Sequence, residues 1–429
     1  MQDLRLLQIL LGLIAKRGKT GRDRSSLWCP CVLGWVALFL FSTSGCLRTM
    51  EAIDPRAIHF KGELAQRLRA HVERLASPEL AGRQPGTAGN RIAGEYIEER
   101  FREMGLERLP SLVGYRQPLS PELGDNIIGM KPAAIEGDSA RWILIGAHFD
   151  HLGGSYLGAD DNASAVAILI ETARTLPSLS NHFIAIVAFN AEEPPYLGTA
   201  RMGSQHFVDN LPVEIGSSAN LQAVIIMDLM GGAHWAPLQD AVFAAGAEKS
   251  PDLYRRVKEV GGPLSIRPVG MHLVEEVPGQ GHEAFSDYDA FRNAGVPFLF
   301  LSAARTPRYH TPSDLPDTLH YERMAATVGW LQHLLTLMDQ DRTPYHFDAN
   351  RLEFADEVES FRTIIAQAAD DRTLIPGTSW LSLRKLKEDA EWLRKVNVES
   401  PTSEDLKRLE QISFRFQCLL ADYAGCFLL

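Results

Sequence analysis

Apolar and polar residues alternate along the chain in two patterns. Short, nearly continuous apolar runs are typical of strands buried on both faces, and between them apolar residues recur at helical spacing. Helices are predicted at 63–76, at 88–105 and from residue 162 to 176. The predicted strands are NIIGM, RWILIGA, FIAIVAF, AVIIM and PFLFL, beginning at residues 126, 141, 183, 223 and 297. This alternation predicts an α/β fold over residues 55–340, a three-layer α/β/α sandwich around a mostly parallel, mixed central sheet.

Two parts of the chain interrupt this alternation. The stretch 232–285 is long for a connection between strands, and long excursions of this kind are often binding loops. From 343 to 429 apolar residues recur only at helical spacing, in three segments that Pro376-Gly377 and Pro401 separate. We expect a C-terminal helical extension that packs on the α/β domain; a dimerisation element is the alternative.

The first 50 residues have the order of an export signal and are kept out of the fold. Five basic residues between 16 and 24 precede an apolar run at 27–41, which is short for a membrane-spanning helix. Ser44-Gly45-Cys46 then resembles a bacterial lipobox, although Thr43 stands where an aliphatic residue is usual. We expect an exported protein, whether periplasmic, an outer-membrane lipoprotein or extracellular. The alternative is an uncleaved N-terminal segment that attaches the protein to the membrane.

Composition and charge narrow the class of protein. With 429 residues, 45% of them hydrophobic, the chain can bury a large core. The formal net charge is −11, and no long basic run follows position 50, so a nucleic-acid partner has no electrostatic support. Three of the five cysteines lie in the first 50 residues. Only Cys418 and Cys426 are left to pair, which is too few for a disulfide framework.

Titratable side chains follow the ends of successive predicted strands, where ligands collect in open α/β sheets. Two histidines with several carboxylates suit Zn²⁺, or a harder ion such as Mn²⁺ or Co²⁺. In chain order the set is His148 and Asp150 after the strand at 141, Asp160 in the glycine-rich turn before the helix at 162, Glu192 and Glu193 after the strand at 183, Asp228 after the strand at 223, and His310 beyond the strand at 297.

The spacing within two of these pairs has a chemical use. Asp150 lies two residues after His148, so in extended chain both share a face and the carboxylate could orient the imidazole. Glu192 and Glu193 are adjacent and point differently. One can bind a metal while the other acts on the substrate as general base and then general acid. Each piece alone is more often an ordinary surface pair, a solvated edge or a helix cap, but their occurrence together favours a metal site.

The order of five short motifs resembles the M28 peptidases, co-catalytic di-zinc enzymes related to bacterial leucyl aminopeptidases. The motifs are HFD, GADDNAS, EE, the strand-end aspartate of MDLMGG, and YHTPSD, and the resemblance spans about 70–335. LASPELAGRQPGTAGNRIAGEYI is similar to that family's opening helix-loop-helix. The chain departs from the pattern at Ala165, where glycine is common, and at Pro194-Pro195-Tyr196, where two prolines stiffen the loop beside the glutamates.

The resemblance implies two zinc ions with Asp160 between them. His148 and Asp228 would complete one site, and Glu193 and His310 the other. Glu192 would be the catalytic base, and Asp150 the partner of His148. Asp161 is expected to cap the following helix, and Tyr288 and Tyr309 are candidates for assisting an oxyanion.

We therefore expect an exported zinc metallopeptidase, an aminopeptidase that hydrolyses N-terminal residues of peptides through a water activated by two metals. One alternative is a glutaminyl cyclase-like acyltransferase, which shares the fold and uses one zinc. The other is a non-catalytic binding module on the same scaffold. The complete ligand set and Glu192 argue against both. No oligomeric state is predicted.

Overall fold

The computed structural model describes residues 62–134, 141–232, 234–277, 281–282 and 285–422. The expected export signal with Cys46, and Cys426 near the other end, lie outside the described residues. The export of the protein therefore stays a prediction. Among the helices of the described ranges, none combines the length and the apolar character needed to cross a bilayer.

The described residues form ten strands, β1 (Arg116–Ser120), β2 (Gly124–Lys131), β3 (Arg141–His148), β4 (His182–Phe189), β5 (Leu221–Met227), β6 (Ala241–Ala245), β7 (Ser265–Pro268), β8 (Glu276–Val277), β9 (Gly281–His282) and β10 (Phe298–Ser302). Eight of them form a mixed sheet, the middle layer of the fold, in the order β1-β2-β4-β3-β5-β10-β6-β7. Its four central strands, β4, β3, β5 and β10, run parallel, whereas β1 and β2 join at one edge and β6 joins β10 by antiparallel pairing. A separate two-stranded ribbon pairs β8 with β9.

Helices cover both faces of the sheet and complete the predicted three layers. The central strands are buried along nearly their whole length because each face packs against a helical layer. Ile143 and Ile145 of β3 point into one core, and Trp142 and Leu144 point into the other. The helices are α1 (Glu63–Leu75), α2 (Ala88–Glu103), α3 (Ala165–Thr175), α4 (Gly203–Asp209), α5 (Pro251–Glu259), α6 (Met271–Glu275), α7 (Tyr288–Asn293), α8 (Tyr321–Met338), α9 (Phe354–Ala368), α10 (Trp380–Lys395) and α11 (Ser403–Leu420).

Because the central strands run parallel, their carboxyl ends and the four loops that follow them lie together on one side of the sheet. His148 at the end of β3 pairs with Phe189 at the end of β4, and Met227 at the end of β5 pairs with Leu301 of β10. The carboxyl ends of these strands therefore lie side by side. These strand ends and the loops that leave them carry the metal ligands and the two catalytic residues predicted from the sequence.

The three C-terminal helices form the expected extension and pack on the α/β domain. They share a third apolar core with Trp235, Val269 and Leu273 of the main domain. Helix α11 is fixed there because the Ser413 hydroxyl donates to the carbonyl oxygen of Leu273, 3.2 Å away. Within the extension, buried Arg415 donates to Asp389 at 2.8 and 2.9 Å, which joins α11 to α10.

The stretch 232–285 is only in part the long connection expected. It contributes β6 and β7 to the sheet edge and helix α5 between them. Val269 and Leu273, in its later part, contact the C-terminal helices. This stretch is therefore the seam on which the extension docks.

Candidate metal and catalytic centre

Two groups of histidine and carboxylate side chains face one another at the carboxyl edge of the sheet. The first consists of His148, Glu192 and Asp228, with ligand atoms within 4.8 Å of one another. His148 Nε2 lies 3.6 Å from Asp228 Oδ1 and 3.7 Å from Glu192 Oε2. All three side chains are buried. The structure thus brings together His148 and Asp228, which the resemblance assigns to one metal, and places Glu192 beside them.

The second group surrounds Glu193. His310 Nε2 lies 3.2 Å from Glu193 Oε2, and His151 Nδ1 lies 2.7 Å from Glu193 Oε1. Asp161 completes this group, with Oδ2 at 3.1 Å from His310 Nε2 and 3.8 Å from His151 Nδ1. Glu193 and His310 therefore meet as expected. His151 is an addition, because it is not among the ligands that the sequence motifs imply.

Asp161 faces both groups, and this corrects the place expected for Asp160. One oxygen of Asp161 lies 3.5 Å from His148 Nε2, and the other faces His310. Asp160 instead accepts hydrogen bonds from the backbone N–H groups of Gly231 and Gly232, at 2.7 and 2.8 Å. The helix-cap role expected for Asp161 is wrong as well, because its carboxylate faces the histidines.

The backbone of the turn explains why the two neighbouring aspartates differ. Gly158 begins the turn with φ +61°, a conformation that favours glycine. The Asp314 carboxylate then accepts the N–H groups of Asp160 and Asp161, at 2.9 and 3.1 Å, and fixes both residues. A Cβ added to Gly232 would stand 2.2 Å from Asp160 Oδ2, so only glycine allows this carboxylate to pack there.

Asp150 positions the two glutamates as well as accompanying His148. Its carboxylate accepts the backbone N–H groups of Glu192 and Glu193, at 3.1 and 3.2 Å. His148 Nδ1 is farther from this carboxylate, at 3.7 Å from Oδ1, and lies 3.3 Å from the Asp150 carbonyl oxygen. Burial raises the pKa of Asp150 to about 6, against the opposing effect of His148. Asp150 therefore links the loops after β3 and β4.

Arg83, which the sequence patterns did not single out, holds the backbone of the loops that carry the centre. Its fully buried guanidinium donates to the carbonyl oxygens of Phe149, Leu157, Gly158 and Leu75, at 2.6 to 3.0 Å. Two of these carbonyls flank the turn that carries Asp160 and Asp161, and one precedes Asp150. A lone arginine in the polar segment LAGRQPG gives no periodic signal, so only the packed structure reveals this role.

The pKa values of the two adjacent glutamates are shifted in opposite directions. Burial raises the pKa of Glu192 well above its ordinary value, and Glu193 and Asp228 add to the rise while His148 opposes it. Burial would also raise the pKa of Glu193, but His151 and His310 outweigh burial and hold that pKa well below its ordinary value. Carboxyl groups with separated pKa values suit a protonatable acid-base group beside a permanent anion.

The unsatisfied atoms of the centre fit a cation. His148 Nε2 and Asp228 Oδ1, 3.6 Å apart, are buried and have no hydrogen-bond partner among the described residues. Buried polar atoms are nearly always paired, so an unpaired imidazole nitrogen and an unpaired carboxylate oxygen that lie close together suit a cation that both can bind. Imidazole nitrogens with carboxylate oxygens form a donor set that binds Zn²⁺ well. The side chains present therefore fit zinc.

The two tyrosines considered for the oxyanion differ in place. Tyr288 is fully buried in the core, with its ring stacked on Phe298 at 5.7 Å between centroids. Tyr309 stacks on His310 at 3.8 Å and lines a cavity together with Asp228. Of the two, Tyr309 borders the centre.

Residues 126–334 match the model of Peptidase family M28. The chain is 28% identical over 270 residues to the uncharacterized protein YfbL of Escherichia coli, covering 57% of this chain and 79% of that protein. It is 39% identical over 218 residues to aminopeptidase YwaD of Bacillus subtilis, covering 47% of this chain and 42% of that protein. The aligned region thus spans less than half of YwaD.

Solved structures share the fold. LapB from Legionella pneumophila superposes with a TM-score of 0.52 at 19% identity, covering 68% of this chain and 79% of LapB. BSAP, a zinc aminopeptidase from Bacillus subtilis, gives a TM-score of 0.50 at 15% identity, covering 67% of this chain and 98% of BSAP. At these identities the likeness concerns the mixed sheet and its flanking helices. From the family match, and from the candidate ligands gathered at the carboxyl ends of the central strands, we conclude that residues 126–334 form a Peptidase family M28 domain and that the protein is a peptide hydrolase.

Proposed function

We propose that this protein is a zinc-dependent aminopeptidase that removes N-terminal residues from peptides. The observation that carries the proposal is the arrangement of two histidine-carboxylate groups on either side of Asp161. One oxygen of Asp161 faces His148 of the first group, and the other faces His310 of the second. The similarity to an aminopeptidase of Bacillus subtilis supports the reaction type. The similarity to the fold of a zinc aminopeptidase supports the metal.

We assign the ligands from the distances between side chains. His148, Asp228 and one oxygen of Asp161 would hold one ion, and Glu193, His310 and the other oxygen of Asp161 would hold the second. This assignment replaces Asp160 by Asp161. Zinc in these positions would supply a Lewis acid that polarises the scissile carbonyl group.

The protein's own groups would move the proton. Glu192 Oε2 lies 3.7 Å from His148 Nε2, so its carboxylate is placed to accept a proton from the attacking water and return it to the leaving amine. Asp150 holds the backbone of Glu192 and Glu193, which keeps the base and the neighbouring ligand in fixed relative positions. His151 would hold Glu193 in the orientation needed for binding.

The experiment compares wild type with Glu192→Gln on free and N-acetylated aminoacyl 4-nitroanilides, with zinc content measured for each protein. We expect two zinc ions per chain in both proteins, cleavage of free-amine substrates only, and a turnover number at least about 100-fold lower for the variant. A chelator should abolish the activity of wild type.

Other outcomes would decide against parts of the proposal. Equal turnover in the two proteins would refute the role of Glu192, and cleavage of N-acetylated substrates would refute the aminopeptidase assignment. Full activity with one tightly held zinc would exclude the two-metal arrangement. Cyclisation of N-terminal glutamine under that condition would replace the proposal by the glutaminyl cyclase-like acyltransferase. Zinc binding without any turnover would favour the binding module.

A further inference from the structure

An apolar cavity extends from the candidate centre to the C-terminal helices. It encloses about 820 Å³, open solvent at its mouth included. Asp228 and Tyr309 line it at the centre, whereas Phe361 of α9 and Phe416 and Leu420 of α11 line it on the extension. The cavity therefore joins the catalytic centre to residues that lie beyond the family match at 126–334.

The wall that the extension supplies is firmly packed. Phe416 is buried, and its ring meets Phe361 at 6.3 Å and Trp235 at 6.1 Å between centroids, edge to face in both cases. Ser413, one turn earlier on α11, is bonded to the main domain through Leu273. A wall held on both sides in this way can set a fixed limit to what the cavity accepts.

The lining favours an apolar occupant. Strands β6 and β10 supply Phe243 and Phe300 between the two ends. Among the described lining residues only Asp228 and Arg305 are charged, and the Arg305 guanidinium lies over the Tyr309 ring at 4.6 Å. A basic side chain would lose its hydration next to this guanidinium, whereas a large apolar side chain would gain by leaving water.

We propose that the C-terminal helical extension is a specificity element of the active site. In this proposal the cavity receives a large apolar side chain of the substrate residue on the amino side of the scissile bond. Phe361, Phe416 and Leu420 close its far end and limit the length of that side chain. The proposal rests on the aminopeptidase function, because the cavity meets the reacting bond only if Asp228 belongs to the catalytic centre.

The test measures kcat/KM for alanyl, leucyl, phenylalanyl and 4-phenylphenylalanyl 4-nitroanilides. Phe416→Ala and the milder Phe416→Leu should enlarge the far end, and Gln417→Trp, at a half-buried lining position, should narrow it. Ile412→Ala is the matched control, because Ile412 is a buried residue of the same helix that does not line the cavity.

Enlargement should raise the preference for the 4-phenylphenylalanyl over the leucyl substrate by about tenfold, mostly through KM. Gln417→Trp should lower the preference for phenylalanyl over alanyl, and Ile412→Ala should leave both ratios within about twofold of wild type. Unchanged ratios in Phe416→Leu and Gln417→Trp would overturn the specificity role. Equal changes in Ile412→Ala would overturn it too, because the effect would then be general loosening of the helix.

A second readout separates this inference from the proposed function. Calorimetric titration of chelator-treated protein with 4-phenylbutylamine reports the cavity without metal or turnover. Suppose that 4-phenylbutylamine binds to wild type and binds at least fivefold more weakly to Gln417→Trp, while wild type cleaves no peptide. That result would refute the aminopeptidase function and retain the apolar binding site. Absence of binding to wild type would refute the apolar site itself.

Discussion

Replacing each of the two neighbouring aspartates by asparagine, in separate variants, is the sharpest test of which one binds the metal ions. Asp161→Asn removes a charge whose oxygens lie 3.5 Å from His148 Nε2 and 3.1 Å from His310 Nε2. Asp160→Asn is its matched control, because this side chain keeps an oxygen that can accept the N–H groups of Gly231 and Gly232. The two substitutions remove the same charge from adjacent positions, so a general electrostatic effect would be similar in both.

The expected magnitudes differ. Loss of a residue that only orients a metal ligand weakens metal binding 10- to 100-fold. Loss of a ligand that both ions share should therefore cost at least about 100-fold in zinc affinity, or roughly 3 kcal/mol. In Asp160→Asn two bonds to a charged acceptor become bonds to a neutral one, at about 1 kcal/mol each. Burial, with Asp314 adding to the effect, raises the pKa of Asp160 to about 7, so part of this charge is already absent at neutral pH. The cost to folding is at most about 2 kcal/mol.

Zinc content by elemental analysis, kcat/KM on leucyl 4-nitroanilide and urea unfolding should be measured on both variants. We expect Asp161→Asn to lose zinc and at least about 100-fold in kcat/KM at limiting zinc while keeping its fold. Asp160→Asn should keep two zinc ions per chain and unfold at slightly lower urea. The reverse result, with zinc lost only in Asp160→Asn, would refute the placement of Asp161 between the two groups.

Three further predictions concern two residues around the centre and one buried carboxyl group of the C-terminal extension. His151→Ala should weaken zinc binding about 10- to 100-fold, because His151 holds Glu193 at 2.7 Å; unchanged affinity in a chelator competition would contradict this. Arg83→Met should lower the free energy of unfolding by at least about 3 kcal/mol, because several buried carbonyl groups lose their donor. An unchanged urea midpoint would contradict the stabilising role of these hydrogen bonds. Burial raises the pKa of Glu357 in α9 to about 8, against about 4.3 in an unfolded chain. Keeping this carboxyl group buried therefore costs no folding free energy at acid pH, where it is protonated in both states. The cost grows as pH rises and is complete above pH 8. Glu357→Gln should therefore be more stable than wild type by at most about 5 kcal/mol at pH 9 and should lose most of that advantage at pH 5, whereas equal differences at both values would disprove the raised pKa.

The sequence predicted the elements that have a continuous apolar signal. The runs at 141–147 and 183–189 became β3 and β4, and the helical spacing after 343 became α9, α10 and α11. Strand β7, with the sequence SIRP, is a half-buried edge strand, so it lacks the alternation or the apolar run that marks a strand. Strand β6 is only five residues long and rich in alanine, which is equally compatible with a helix.

The candidate site was predictable as a set of residues but not as a geometry. Strand ends located His148, Glu192, Glu193, Asp228 and His310, because the carboxyl ends of parallel strands meet. Between Asp160 and Asp161 the sequence offers no distinction, since both are acids in one turn and the turn's backbone decides which faces the histidines. That backbone is fixed by Asp314, far along the chain, which local sequence patterns do not reveal.

The anchoring of Arg83 bears on how far this chain can be divided. The arginine lies before the matched segment 126–334 and ties its loops to the end of α1. A fragment trimmed to the matched segment would keep every candidate ligand and still lack the donor that shapes the turn around Asp161. The segment that matches the family therefore does not contain every residue that holds the candidate centre in place.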